Sequence, residues 1–258
     1  MEPKILQRFI VCGFVVTILR LLYTFTIITS KQQETLSFKT YYMIPKVSNT
    51  TVYENEPFLK NYTPVVKEYG SLDYSTILFV EAAITFLFYI MLYTFFNRFI
   101  DITKQHNNLY FQFAMYSISA PMFYVCTLML CGMIDGVCIV TLGLLMSTLQ
   151  FNGAVMYIRD SINTSVVNGS LLVSGFLLFV CLMIPLCIQF VLATSENNVP
   201  AFVYFLFFLL LIFYVSFGVV MVLARIYKYD IFKLSAIYII LDVTSKVAIS
   251  ACLIQIYI

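Results

Sequence analysis

The chain has 258 residues, of which 61% are hydrophobic and 11% are charged. A soluble domain carries about 25% charged residues, so this composition indicates a protein that folds in lipid. A formal net charge of +2 is too small to provide a nucleic-acid-binding surface. The sequence contains no Walker, zinc-ligand, nucleophile-elbow or dinucleotide-binding motif. We therefore expect an integral membrane protein that is not an enzyme.

Seven apolar runs are each long enough to cross about 30 Å of hydrocarbon as a helix. Backbone amides find no water in lipid, so runs of this length favour helices, and they lack the two-residue alternation of a membrane β-barrel. The predicted fold class is all-α integral membrane, with one seven-helix domain over residues 1–258. The predicted spans lie near residues 9–30, 75–97, 109–133, 137–158, 170–193, 200–224 and 234–257.

One connection, residues 31–74, is much longer than the others. Residues 40–44 and 50–53 are rich in β-branched and aromatic side chains, which favour strands. A turn is expected around residues 45–49. This pattern predicts a small β-hairpin that caps the extracellular face between the first and second spans.

Basic residues in the short loops and the N-terminal tail fall on one side of the predicted bundle. They are Lys4, Arg8, Arg98, Lys104, Arg159, Arg225, Lys228 and Lys233. The opposite short loops, residues 134–136 and 194–199, contain no basic residue. Since basic loops stay on the cytoplasmic side, the N-terminus is expected there and the C-terminus outside.

Four ionisable residues lie within predicted spans: Arg20, Glu81, Asp242 and Lys246. Charges inside a membrane are costly, so they usually face the interior of a bundle and have partners. These four sum to zero charge. Arg20 and Glu81 occur in the outer halves of consecutive antiparallel spans, which favours a structural pair, with a proton or ion path as the alternative.

Lys246 lies about 12 residues into the last predicted span, roughly 18 Å from its start, where its amine cannot reach water easily. Burial at this depth favours the neutral amine, which can condense with an aldehyde to a Schiff base. Asp242 lies one turn earlier on the same face and could hold the positive charge of such a group. On spacing alone, a buried ion pair that orders the last span explains both residues at least as well.

Three segments are informative about the family: Tyr-Ser-Ile-Ser at 116–119, Pro-Ala-Phe-Val-Tyr at 200–204 and Ala-Ile-Tyr-Ile-Ile-Leu at 236–241, the last leading to Ser245 and Lys246. They resemble the heliorhodopsins, retinal-binding seven-helix proteins with an inverted N-terminus, and the similarity runs along the whole chain. The resemblance implies all-trans retinal bound covalently to Lys246. It also implies a homodimer in the lipid bilayer.

Carried over by position, the resemblance places Ser245 and Ser119 near the Schiff base, beside Met115 and Tyr116. Further candidate pocket walls are Pro185 in the fifth span and Phe213, Tyr214 and Phe217 in the sixth. Because 17% of the chain is aromatic, packing in the core or against lipid explains each aromatic residue equally well. An elongated cavity beside the Lys246 nitrogen is expected if retinal binds.

One position departs from the family pattern, which has a glutamate as the counterion just before the Tyr-Ser-x-Ser run. This chain has Met115 there. Without an opposite charge the Schiff base loses its proton more easily, and absorption moves toward the blue or ultraviolet. We predict that Asp242 replaces the missing counterion, as in the pump-type microbial rhodopsins, with Glu81 as the next candidate.

Three functions remain open from the sequence. The first is a photoreceptor in which light-driven isomerisation of retinal on Lys246 causes conformational signalling. The second is light-gated or light-driven proton or ion transport by the same pigment. The third is a receptor or transporter that binds no retinal and uses Lys246 in a structural ion pair.

Overall fold

The structure, a computed structural model, describes residues 3–30, 35–45, 62–106, 109–160, 165–195, 200–227 and 229–254. Its elements in chain order are α1 (Pro3–Ser30), β1 (Thr35–Pro45), β2 (Tyr62–Asp73), α2 (Tyr74–Thr94), α3 (Phe96–His106), α4 (Tyr110–Leu130), α5 (Gly136–Asp160), α6 (Ser165–Ser195), α7 (Ala201–Tyr227) and α8 (Ile231–Ile254). All of these helices except α3 are long and apolar enough to cross a membrane, and together they give seven spans. The chain is therefore an integral membrane protein, and the seven predicted spans are confirmed.

The short helix α3 was not predicted from the sequence. It follows α2 almost without interruption, because the Phe95 amide donates to the Met91 carbonyl at 3.0 Å and the Phe99 amide donates to the Phe95 carbonyl at 2.9 Å. Phe99 and Ile100 are buried against the first turns of α1 and α8, whereas Asp101 is exposed. The helix is amphipathic and covers one end of the bundle.

The connection between α1 and α2 contains a two-stranded antiparallel sheet of β1 and β2. Thr40 pairs with Lys67 and Ile44 pairs with Thr63. The first predicted strand therefore lies within β1, which pairs with β2. The second predicted strand, residues 50–53, lies outside the described residues. The predicted turn at 45–49 lies beyond Pro45, outside the described residues. The sheet joins the end of α1 to the start of α2, whereas α3 follows the end of α2, so the sheet and α3 lie at opposite ends of the bundle. β1 also contacts α5.

Helix α4 is the central helix of the bundle. It packs against α2, α5 and α7, and 61% of its most apolar 18-residue stretch is buried. The corresponding fraction is 17% for α6 and for α7, so these two helices present most of their surface to lipid. α1 packs between α2 and α8, which brings the N-terminal span beside the last one.

A tight turn joins α4 to α5. The Gly132 amide donates to the Met129 carbonyl at 3.0 Å, and the Met133 amide donates to the Leu128 carbonyl at 3.0 Å. This hydrogen-bond pattern is a Schellman motif, and Gly132 has the positive φ of 91° that the motif requires. Asp135 then caps α5 by accepting a hydrogen bond of 2.9 Å from the Val137 amide.

Candidate functional site

Two rows of polar side chains face each other in the middle of the bundle. On α2 the row is Glu81, Thr85 and Tyr89, and on α8 it is Asp242, Lys246 and Ser250. Residues four apart lie on one face of a helix, so each row is a single stripe. Contacts run from Tyr89 to Asp242 and from Thr85 to Lys246. The two stripes form an antiparallel polar ladder, which we call the buried ladder.

Lys246 lies at the centre of the buried ladder, with 5% of its surface exposed. Its Nζ is 2.9 Å from Asp242 Oδ1 and 3.6 Å from Glu81 Oε1. It donates hydrogen bonds to Thr85 Oγ1 at 2.9 Å and to Met115 Sδ at 3.0 Å. The amine therefore has two carboxylates, a hydroxyl and a thioether as neighbours, and it lies far from either end of α8.

Arg20 from α1 joins the buried ladder at Glu81. The guanidinium Nη2 forms a salt bridge with Glu81 Oε2, and Nε donates to Ser250 Oγ at 2.8 Å. The guanidinium carbon also lies 5.3 Å from the centre of the Phe123 ring. The structure thus brings together both predicted ion pairs and links them, because Glu81 contacts Arg20 through one oxygen and approaches Lys246 with the other. Two cations and two anions leave the cluster neutral.

Neutral side chains complete the contacts around the carboxylates. The Tyr89 hydroxyl donates to Asp242 Oδ2 at 3.1 Å, and the Thr85 hydroxyl donates to Glu81 Oε1 at 2.8 Å. Of the two predicted serines, Ser119 donates to Met115 Sδ at 3.3 Å and Ser245 donates to the Asp242 carbonyl within α8 at 2.9 Å. Both serines lie near the amine, but neither hydrogen bond joins it.

A cavity of about 30 Å³ lies beside Lys246, between α4, α5, α7 and α8. Eight of the predicted site residues line this cavity: Tyr116, Ser119, Phe213, Tyr214, Phe217, Asp242, Ser245 and Lys246. Cavities of this size hold water, whereas pockets for ligands usually exceed about 300 Å³. The expected elongated cavity is therefore not open at this volume, and Phe213, Tyr214 and Phe217 of α7 form part of its wall. Pro185, half-buried inside α6, is not among the lining residues.

The chemistry of the cavity fits a retinal group better than its volume does. A primary amine projects into it near two carboxylates, which suits a cationic group joined to an apolar chain. Phe213 and Phe217 provide apolar surface on α7. The Tyr214 hydroxyl donates to the Ala120 carbonyl at 3.0 Å, which ties α7 to α4.

Sequence reasoning missed several neutral residues of the site. Thr85, Tyr89 and Ser250 contact the charged groups directly, and Gln150 and Ala120 line the cavity. The spacing carried a usable signal, because Thr85 and Tyr89 follow Glu81 at four-residue intervals and Ser250 follows Lys246 by four. Gln150 and Ala120 have no comparable signal.

The fold and the buried ladder define a seven-span helical membrane protein with an amine held among carboxylates in its core. Similar folds occur in cyanorhodopsin from the cyanobacterium Calothrix sp. NIES-2098, with a TM-score of 0.69, 10% identity and coverage of 97% of this chain and 93% of that one. Cyanorhodopsin from Tolypothrix sp. NIES-4075 has a TM-score of 0.67 at 12% identity, covering 98% and 94%. Thermophilic rhodopsin from Rubrobacter xylanophilus has a TM-score of 0.63 at 13% identity, covering 98% and 96%.

The family model for heliorhodopsin matches residues 7–255. The chain belongs to the heliorhodopsin family. Comparison with curated protein sequences finds no match. The sequence resemblance to this family is thereby confirmed, and it extends over nearly the whole chain.

Proposed function

We propose that this protein is a retinal-binding photoreceptor that signals through a conformational change. Lys246 would hold all-trans retinal covalently as a Schiff base, and the bound group would supply light absorption and isomerisation. Family membership supports the cofactor. The observation that carries the proposal for this chain is the Lys246 amine, which is buried mid-span and lines the cavity between α4 and α7.

The residues around the amine have distinct roles in this proposal. Asp242, at 2.9 Å, is the counterion that stabilises positive charge on the Lys246 nitrogen. Met115 occupies the place of the family glutamate and contacts the same nitrogen without supplying charge. Replacing Asp242 with Asn should lower the pH at which the visible band titrates. An unchanged midpoint would assign the counterion to Glu81 instead.

The proposal includes an orientation and an assembly. The N-terminus is cytoplasmic and the C-terminus extracellular, because the basic residues of the short loops lie at the α1 start and α3 end of the bundle. The β1–β2 sheet then forms an extracellular cap. Membership of the family also supports a homodimer in the bilayer and one domain over residues 1–258.

Chemical trapping of the linkage tests the proposal. Purified protein is incubated with all-trans retinal, reduced with borohydride and digested, and the peptides are weighed by mass spectrometry. The retinyl mass should appear on the α8 peptide that contains Lys246. The exposed Lys233, also on α8, is an internal control and should remain unmodified. Modification of surface lysines alone would contradict the proposal.

Light-driven transport is the second candidate, because the buried ladder and Arg20 form a connected polar chain from Ser250 to Tyr89. Apolar clusters adjoin both ends of this chain. The cluster around Tyr89 contains Leu6, Ile10, Leu92, Phe99, Ile100, Phe232, Ala236 and Ile239. The cluster at the opposite end contains Ile77, Leu78, Phe123, Cys126, Met129, Ile139, Leu206, Ile249 and Leu253. Because apolar side chains adjoin the polar chain at both ends, these clusters favour a sensor over a transporter. A photocurrent measured under voltage clamp would favour transport.

The third candidate is a membrane receptor or transporter without retinal. The short contact from Lys246 to Asp242 and the cavity of about 30 Å³ favour it, because both suit a structural ion pair. It predicts that added retinal forms no adduct with Lys246. The trapping experiment therefore separates this candidate from the other two.

A further inference from the structure

Two carboxylates approach the Lys246 nitrogen, and their surroundings differ. We propose that Asp242 accepts the proton that the Lys246 nitrogen releases, and that Arg20 is a positioning residue that directs the proton there by holding Glu81 as an anion. The light-driven part rests on the proposed function. The electrostatic part concerns the protein's own side chains and holds without retinal.

The direct route leads to Asp242. Its Oδ1 lies 2.9 Å from the Lys246 nitrogen, so the N–H bond breaks as an O–H bond forms on Oδ1. The other oxygen, Oδ2, continues to accept the hydrogen bond from Tyr89 at 3.1 Å. The nitrogen and the carboxylate both become neutral. No other hydrogen bond in the cluster has to break.

A second route leads to Glu81 through Thr85. The nitrogen donates to Thr85 Oγ1 at 2.9 Å, and that hydroxyl donates to Glu81 Oε1 at 2.8 Å. A proton passed to Thr85 Oγ1, with the threonine proton passed on to Glu81 Oε1, gives a neutral amine and a neutral glutamic acid. For the lysine ammonium, which has three N–H bonds, the hydrogen-bond geometry therefore permits both routes. The charges that remain decide between them.

Transfer to Asp242 leaves Arg20 and Glu81 as oppositely charged groups in direct contact. Transfer to Glu81 leaves the Arg20 cation and the Asp242 anion apart. Arg20 donates a hydrogen bond to α8 at Ser250, which lies eight residues, or about 12 Å of helical rise, from Asp242. Electrostatic attraction falls with distance and is weakly screened in a buried site, so the first outcome is favoured.

Arg20 cannot relieve the unfavourable outcome by losing its own proton, because a guanidinium stays charged in proteins. Within the described part of the chain, no charged side chain other than Arg20, Glu81, Asp242 and Lys246 is buried. Thus no further buried charge competes for Glu81. Arg20 therefore keeps Glu81 ionised while Asp242 gains the proton.

Light-induced infrared difference spectroscopy tests the assignment in the pigment without changing a residue. One sample carries ¹³C in the carboxyl groups of aspartate and another in those of glutamate. Illumination should produce a protonated carboxyl band that shifts with the aspartate label only. A band that shifts with the glutamate label would overturn the proposal, as would the absence of any such band when the visible absorption shows deprotonation.

The role of Arg20 is tested by substitution. In Arg20→Gln no cation holds Glu81 ionised, so a protonated carboxyl band that shifts with the glutamate label should already be present before illumination. Arg20→Lys retains the charge and should remove this dark band. The absence of a dark glutamate band in Arg20→Gln would show that Arg20 does not keep Glu81 ionised.

The protein without retinal provides an independent test. Asp242→Asn imitates the neutral acid and leaves the Arg20–Glu81 pair intact, whereas Glu81→Gln leaves a buried cation with no carboxylate contact. Glu81→Gln should lower the unfolding temperature more than Asp242→Asn does. When Arg20→Gln is combined with each of these substitutions, the difference between them should disappear. Equal or reversed losses in the wild-type background would overturn the electrostatic argument. If no pigment forms, the proposed function fails, but this test still decides the roles of the two carboxylates.

Discussion

Thr85 on α2 accepts a hydrogen bond of 2.9 Å from the amine of Lys246 on α8, although the two residues are 161 positions apart in the chain. The same hydroxyl donates to Glu81 at 2.8 Å. One uncharged side chain therefore connects the amine to the Arg20–Glu81 pair. The position of the amine depends on neutral neighbours as well as on the carboxylates.

Thr85→Val should destabilise the protein by about 1–2 kcal/mol, because valine keeps the shape of threonine but cannot accept the hydrogen bond from the buried amine. Thermal unfolding in detergent measures the loss. Thr85→Ser is the matched control and should retain most of the stability, since it keeps the hydroxyl. Equal unfolding temperatures for Thr85→Val and the wild type would show that the hydrogen bond has no net effect.

Gly13 on α1 allows close contact with Tyr89, because a Cβ added at Gly13 would overlap the Tyr89 ring. Gly13→Ala should displace this buried ring, weaken its hydrogen bond to Asp242 and cost about 1–3 kcal/mol, as overpacking usually does. Gly218→Ala on α7 is the control, since a Cβ there meets nothing within 4 Å. Thermal unfolding compares the two variants. Equal stability would contradict the close packing of α1 against Tyr89.

Met115→Glu should place a carboxylate where the thioether now contacts the Lys246 nitrogen at 3.0 Å. A negative charge at that position favours the protonated nitrogen, so the visible band of the retinal-bound protein should persist to higher pH than in the wild type. Met115→Gln has a similar size without the charge and serves as the control. If both variants titrate at the same pH, position 115 does not influence the charge on the nitrogen.

The charged part of the site could be predicted from the sequence, because a charged residue inside an apolar run is unusual and its partner follows from helical spacing. Lys246 and Asp242 are four residues apart on one helix, and the structure joins them at 2.9 Å. Thr85 was missed because threonine is common in apolar spans and its role depends on the packing of another helix. The four-residue spacing from Glu81 places Thr85 on the same face of α2, but its partner on α8 leaves no mark in the local sequence.

The fold was predictable where hydropathy is continuous and less so elsewhere. All seven spans follow from their apolar length, whereas α3 was missed because Arg98, Asp101 and Lys104 lower its hydropathy. The pairing of β1 with β2 was missed for a related reason. β2 contains Pro64 and Gly70, which weaken its strand pattern. The small cavity could not be predicted either, since it depends on how the aromatic residues of α7 pack.

An absorption spectrum of the purified protein with all-trans retinal, recorded across pH, tests the central claim most directly. We predict a visible or near-ultraviolet band that interconverts with pH, is lost in Lys246→Ala and is retained in Lys233→Ala, which removes an exposed lysine from the same helix. A spectrum of free retinal alone, or a bound band that survives Lys246→Ala, would contradict the account.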